Sequence, residues 1–340
     1  MKKPIINIAH FLAESKYPDE ALKWLKSART SWPANDSVWH FLRDSQTELP
    51  AIRKALEQGT YQFEPVKKIT RTEKEPIWIW HARDTFVLKA LSLYLNETVL
   101  SKFSPQCVHI QGNGGIHSAI RFINKQIPEQ TYVFRSDVKS YYESMEHAEI
   151  LRLLGNITDC PLIHSFFENF LSHLEDYNCI LTTTVKGISK GCPISPLLGA
   201  LYLCELDRAM EHAPVAYVRY MDDWCILAKT KWVLRKAVKT TNQILSRLNV
   251  CKHPDKTFIG RITRGFDFLG FHFTEKGLLK VATITRQKML LKLRKLYEHP
   301  RGTDAAVVGY LKRWNSWVDS VMRNVIKTPG LCFGTTTIVR

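Results

Sequence analysis

The chain has 340 residues, 45% of them hydrophobic, and carries 48 Lys plus Arg against 32 Asp plus Glu, a net charge of +16. That length and apolar content place it among globular proteins with room for two or three packed subdomains, and the positive excess makes a polyanion, nucleic acid first, the expected partner. Its eight cysteines form no C-x-x-C pair or Cys/His cluster of zinc spacing, and no stretch approaches the roughly 18 apolar residues of a membrane span, so structural zinc and a membrane partner are set aside.

The N-terminus, M-K-K-P-I-I-N-I-A-H-F-L, is interrupted by Asn7 and His10 and lacks a cleavage site, so no signal peptide is read and a reducing cytoplasm is the expected location. Residues 1–60 place Leu22, Trp24, Leu25, Val38, Trp39, Phe41, Leu42, Ile52 and Leu56 at helical spacings, which predicts a helical extension. Asp36 or Ser37 would cap its second helix, and Gly59 would end its third. From Tyr61 the chain becomes β-prone between Pro65 and Pro76, which predicts a hairpin with a cationic tip. Lys67, Lys68 and Arg71 there could contact phosphates, with a solvated charged loop as the alternative. Arg83 and Asp84 open a helical segment running to Asn96, and Arg83 could reach a triphosphate. Gly112-Asn113-Gly114-Gly115 precedes an amphipathic run over 116–127. Such a turn can receive a phosphate on free amides, although it is neither a Walker loop nor G-x-G-x-x-G.

A short apolar strand from Tyr132 runs into Asp137, an acid where the chain would otherwise continue into a core. Residues 143–177 read as two helices divided near 158–161. Residues 186–207, K-G-I-S-K-G-C-P-I-S-P-L-L-G-A-L-Y-L-C-E-L-D, are a Gly/Pro loop feeding a helix with Ser195 as N-cap and Pro196 at its first position. A loop containing Gly191 lets backbone approach a ligand closely. The organising stretch is 215–229, V-A-Y-V-R-Y-M-D-D-W-C-I-L-A-K, where two apolar runs flank Tyr220-Met221-Asp222-Asp223 and predict a β-hairpin with two carboxylates at its tip. By itself the hairpin also reads as an Asp-containing surface turn. Together with Asp137 it puts carboxylates on adjacent strand ends, suited to holding two Mg2+ ions roughly 4 Å apart for in-line phosphoryl transfer. Residues 232–248 follow as an amphipathic basic helix, and Pro254-Asp255-Lys256-Thr257 introduces short strands ending at Phe273. Residues 286–296 and 307–325 alternate basic and apolar positions at helical spacing. With Arg286, Lys292 and Arg294 they are expected to grip a duplex backbone, a plain charged helix face being the alternative.

This ordered set resembles a reverse transcriptase, closest to the bacterial group II intron-like lineage, over roughly residues 50–320. Glu57-Gln58-Gly59-Thr60-Tyr61 with Pro65-Val66 resembles that lineage's approach to the fingers, and Ala82-Arg83-Asp84 the motif that follows. Residues 112–119 resemble its G-F-R-P-G-x-S-A-H segment loosely, and residues 134–142 match its first catalytic motif. Residues 187–203 match G-x-P-Q-G-x-x-x-S-P-L-L, residues 220–223 the Y-x-D-D box, and residues 254–257 and 268–271 the P-E-K-T and F-L-G-F blocks.

The resemblance implies an α+β right-hand polymerase. Its parts would be a helical extension over 1–60, fingers over 61–130, an RRM-like palm over 131–275 with fingers helices inserted at about 143–180, and a thumb and tail over 276–340. Asp137 and Asp222 would ligate both metals, Mg2+ or alternatively Mn2+, with Asp223 assisting and the carbonyl of Val138 completing one coordination sphere. Tyr142 falls at the steric-gate position, where an aromatic ring blocks a ribose 2′-hydroxyl. Lys256 would approach the leaving pyrophosphate, and Met221 the primer end. Two departures stand out: Lys190 replaces the usual Gln and Ser189 the usual Pro, leaving a phosphate contact for Lys190. Glu75 holds the place of the basic residue before the fingers Pro, so Arg83 is assigned the nucleotide-contacting charge. About 67 residues follow Phe273 without an endonuclease domain, so a stand-alone enzyme is expected, like those of retrons, diversity-generating elements and antiphage systems. The expected activity is synthesis of DNA from dNTPs on a structured, co-encoded RNA, with an RNA–DNA duplex as product, in antiphage defence. Template-independent or protein-primed synthesis on the same palm, and a non-catalytic RNA-binding protein, remain open. A homo-oligomer or an effector partner is compatible with each.

Overall fold

The computed structural model describes residue 12 and residues 16–70, 76–298 and 303–325. Arg71 and the other residues at 72–75 of the expected cationic tip lie outside the described residues. The chain begins with helices α1 (Lys16–Ala28), α2 (Ser37–Arg43) and α3 (Ser45–Glu57). Asp36 caps α2, its carboxylate accepting from Val38 N at 3.0 Å, and Gly59 takes the left-handed step after α3 at φ +66°. A hairpin, β1 (Val66–Ile69) and β2 (Ile77–Ile79), leads into helix α4 (Ala82–Val99), which is buried along most of its length.

Helix α5 (Gly115–Gln126) follows the glycine turn and precedes β3 (Tyr132–Ser136), α6 (His147–Gly155) and α7 (Pro161–Leu171). The second helix expected over 143–177 therefore stops at Leu171. Residues beyond it form a hairpin, β4 (Leu174–Tyr177) and β5 (Ile180–Thr183), which reverses at Asn178 and Cys179 with φ +53° and +65°. Positive φ at both central residues gives the turn twist that suits a two-residue hairpin. Strand β4 lies parallel to β1, closing a sheet of order β2-β1-β4-β5. Glu175 pins the junction, accepting from Trp78 Nε1 at 2.6 Å and from Lys68 Nζ at 3.1 Å.

Ser195, expected as an N-cap, is the first residue of α8 (Ser195–Tyr202), with Ile194 in the cap position. Its hydroxyl instead donates to the Ser189 carbonyl at 2.9 Å and ties the preceding loop to the helix. The helix breaks at Leu203 and resumes as α9 (Cys204–Glu211). The hairpin β6 (Ala216–Tyr220) and β7 (Asp223–Ala228) is antiparallel as expected, and α10 (Lys231–Arg247) follows it. With β8 (Phe258–Arg261) these strands build the central sheet, order β6-β7-β3-β8.

That sheet is buried on both faces, and its side chains alternate between two cores as the strand period requires. Phe134, Tyr217, Trp224 and Ile226 enter a large core with α4 and α6 to α10. Val133, Val218, Cys225 and Leu227 enter a second, made with α5, strands β9 (Phe266–Phe268), β10 (Phe271–Thr274) and β11 (Gly277–Val281), and helix α12 (Asp304–Val325). Helix α11 (Thr283–Tyr297) contributes no buried residue. The architecture is mixed α+β with mostly antiparallel pairing, and no described helix is long and apolar enough to cross a membrane.

Candidate active site

Strand pairing brings the acids together. Ser136 at the end of β3 lies opposite Trp224 on β7, so Asp137, one residue beyond, and Asp223, the first residue of β7, reach the same edge of the sheet. Tyr220 pairs with Asp223, which leaves Met221 and Asp222 as a two-residue loop. Met221 has φ +55°, a left-handed conformation that its β-carbon disfavours. Two bonds hold it there: its N–H donates to His109 Nδ1 at 2.9 Å, and its carbonyl accepts from Arg219 Nη1 at 2.7 Å.

Both partners belong to a buried network that the sequence reading missed. Arg219 has no solvent exposure, and its Nε donates to Asp207 Oδ1 at 2.7 Å while Nη2 reaches the Ala200 carbonyl at 3.1 Å. Tyr217 donates to the same Asp207 oxygen at 2.6 Å. Burial alone would lower the pKa of Arg219, but the attraction of Asp207 outweighs it and raises the guanidinium well above its usual range. His109 Nε2 lies 3.2 Å from the Pro196 carbonyl, so the ring is the neutral tautomer that donates from Nε2 and accepts at Nδ1, as its partners assign it. Burial, then the charge of Arg219, push its pKa down to about 3. A signal for the network was present: an arginine inside V-A-Y-V-R-Y, between core positions, demands a buried carboxylate, and Asp207 follows a long apolar run at 197–206 that is broken only by Glu205.

Asp137 is buried; its Oδ2 accepts from the Lys256 ammonium, and its Oδ1 has no hydrogen-bond partner among the described residues. Burial first, and then its neighbours Asp222 and Asp137, lift the Asp223 carboxyl to about 7. Asp222 is raised by burial and by Asp137, with Lys256 and Lys190 pulling the other way. Burial lowers the Lys256 pKa, yet its bond to Asp137 and the pull of Asp223 and Asp222 raise it overall. The ammonium thus serves as counter-charge to all three acids. Among the described residues no group of three or more His, Cys, Asp or Glu side chains is arranged to hold a metal ion by itself. The buried Asp137 oxygen without a partner is the atom of this edge that a divalent cation could take up.

Other expected residues surround this edge. The Tyr142 hydroxyl lies 4.0 Å from Met221 Sδ, and a β-carbon on Gly199 would come within 3.3 Å of the Tyr141 and Tyr142 rings alike. Glycine at 199 is what lets the two rings lie against α8. The loop containing Lys190 and Gly191 is strapped to the Tyr142 turn, with Gly187 N donating to the Met145 carbonyl at 2.7 Å and Ile188 N to that of Tyr142 at 2.8 Å. Val138 bridges Lys252, and the Asp137 carbonyl accepts from His253 N at 2.9 Å, which leads the chain directly to Lys256. Arg83 instead packs 5.1 Å above the Tyr61 ring. Lys67 is exposed on β1, whereas Lys68 is engaged by Glu175 and by the Trp78 ring. Arg286, Lys292 and Arg294 are exposed on α11, where Arg294 pairs with Glu298 at 2.7 Å.

Comparison with known proteins agrees with this geometry. The chain is 22% identical over 295 residues to Protein YkfC of Escherichia coli (strain K12), covering 71% of this chain and 76% of that protein. It is 24% identical over 192 residues to the Group II intron-encoded protein LtrA of Lactococcus lactis subsp. cremoris, covering 54% of this chain but only 31% of LtrA. An uncharacterized 91 kDa protein in the cob intron of Schizosaccharomyces pombe is 25% identical over 166 residues, 20% of its own length. Residues 76–273, more than half of the 340, match the family described as Reverse transcriptase (RNA-dependent DNA polymerase). The carboxylate edge lies inside that match, and the chain belongs to the reverse transcriptase family, as an RNA-directed DNA polymerase.

Proposed function

We propose that this enzyme extends a primer with dNTPs on a structured RNA encoded beside it, using two Mg2+ ions held at the edge formed by Asp137, Asp222 and Asp223. The observation that carries the reading is the meeting of three acids from two distant segments, one with a free buried oxygen and two with raised pKa values. In right-hand terms the central sheet is the palm, the sheet containing β1 and β4 with its helices the fingers, and α11 with α12 the thumb. Bound ions would activate the primer 3′-hydroxyl and neutralise charge on the phosphates. Asp137, Asp222 and the Val138 carbonyl would hold them, and Asp223 would assist.

The chain's own groups do the rest. Lys256, which bonds to Asp137 at this edge, would give charge or a proton to the departing pyrophosphate. The Tyr142 ring closes the space beside Met221, where a ribose 2′-hydroxyl would otherwise fit. Lys190 and Gly191 line the substrate side, and Arg83 supplies a more remote positive charge toward the triphosphate. Lys67, Lys68 and the exposed cations Arg286, Lys292 and Arg294 are proposed duplex and template contacts. The antiphage setting is proposed on the resemblance to stand-alone bacterial reverse transcriptases alone.

The test is primer extension by wild-type, Asp137→Asn and Asp222→Asn proteins, with sequencing of the nucleic acid that co-purifies. We expect each substitution to cut extension on the order of 1,000-fold or more, with melting temperature and RNA binding kept. One enriched RNA should appear in all samples, with complementary DNA only in the wild type. Extension that survives either substitution removes the metal assignment. In the same assay Tyr142→Ala should raise ribonucleotide incorporation, and unchanged sugar selectivity removes the gate.

A further inference from the structure

We infer that the outer face of α10 is a second nucleic-acid site, one that binds single-stranded RNA away from the carboxylate edge. The inference rests on the reading that this polymerase works on a structured RNA, and it adds where that RNA is held. Helix α10 begins three residues beyond β7, at the opposite end of that strand from Asp223, a separation of about 20 Å for a strand of this length. It presents Lys231, Arg235, Lys236, Lys239 and Arg247 and contains no Asp or Glu. Arg247 is engaged by Glu205, whereas Lys231, Arg235, Lys236 and Lys239 make no ion pair among the described residues. Buried Leu234, Ala237, Thr241, Ile244 and Leu245 occupy the inner face, so the cations fall on the outer one.

An aromatic sits within this positive field. Trp232 is 76% exposed, with the Arg235 guanidinium 5.3 Å from its ring centroid. A groove of about 400 Å3 runs beside it, floored by Met210, Ala213, Pro214 and Val233 and edged by Lys236. A single exposed indole is unremarkable by itself. Here it stands over an apolar groove, with Lys236 and Lys239 one and two turns further along the helix. That is the combination a single strand uses: an aromatic platform for a base and cations spaced for its phosphates. Duplex offers no free base face, and an acidic protein segment would not need the platform. A strand following α10 from Trp232 toward Arg247 travels back toward the end of the sheet where Val138 bridges Lys252, beside the carboxylates.

The test uses the full chain and a short fluorescent oligouridine, titrated while a primer–template hybrid saturates the catalytic edge. We expect the oligomer to bind alongside the hybrid. Trp232→Ala should weaken it about 5- to 150-fold, and Trp232→Phe should restore most of the affinity. Lys236→Ala with Lys239→Ala should flatten the slope of log affinity against log salt by about 1.4, at roughly 0.7 per lost phosphate contact. Extension of the preformed hybrid should be unchanged in every variant. Oligomer affinity and salt slope that ignore these substitutions overturn the inference, as does displacement of the oligomer by the hybrid. So does a Trp232→Ala protein that keeps RNA affinity but sediments as a smaller species, which would assign the groove to a second copy of the chain. Failure of wild type to extend the hybrid counts against the polymerase reading, and the binding measurements are read independently of it.

Discussion

The guanidinium of Arg219 bonds at once to the Asp207 carboxylate, the Ala200 carbonyl and the Met221 carbonyl. The first of these concerns stability and the last concerns the reacting edge, so the two contributions can be separated. Arg219→Met leaves Asp207 buried without its counter-charge and should cost about 3–5 kcal/mol, read as a lower urea midpoint. Arg219→Met combined with Asp207→Leu should recover part of that stability, because an apolar pair replaces a buried ion pair at little cost. Extension should stay impaired in both, since nothing then holds the Met221 carbonyl and the tip carrying Asp222 keeps only its bond to His109. Recovery of rate together with stability would show that Arg219 serves the fold alone. The acids at the edge were legible because each stands where an apolar run stops or begins. His109 was not, because its partners are a backbone N–H and a backbone carbonyl, which no side-chain pattern announces.

Helix α4 was legible from its start at Arg83 and Asp84, but the work of its first turn was not. Asp84 is fully buried, accepting from Tyr61 at 2.6 Å and from Glu64 N at 3.0 Å. Burial raises its carboxyl to about 6 from an ordinary 3.8, against the opposing effect of those two bonds. Between these values the unfolded chain has released the proton and the folded chain retains it. The stabilising contribution is therefore complete below about 3.8 and fades as pH rises through about 6. Asp84→Asn removes the titration, so the wild type should lose melting temperature relative to this variant between pH 4 and pH 7. A constant difference across that range would place the folded pKa elsewhere. Strand β4 falls inside the stretch expected to be helical for a different reason: the reversal at Asn178-Cys179 has no glycine, and the exposed Ile180 and Leu181 stand side by side, so no alternation marks the hairpin.

At the scale of the molecule, the order of helices and strands outside the β4–β5 hairpin and the positive charge were readable, because each depends on neighbours in sequence. The division into two cores was not. Val133 and Phe134 are adjacent and both buried, yet they belong to different cores, and a continuous apolar run does not say which face each residue takes. The basic surface has a consequence that can be measured: binding of a primer–template hybrid should weaken by orders of magnitude between 50 mM and 200 mM salt if several phosphates are contacted. A slope near zero would mean that the excess charge is not directed at nucleic acid. The central sheet also carries a schedule. Strand β3 pairs on one side with β7 and on the other with β8, so its partners are translated long after it. At ribosomal speeds of about 5–20 residues per second, residues 132–136 wait on the order of ten seconds before Arg261 is made. Throughout that interval the nascent chain displays its cations without its three acids assembled. It can attract RNA before it can copy it.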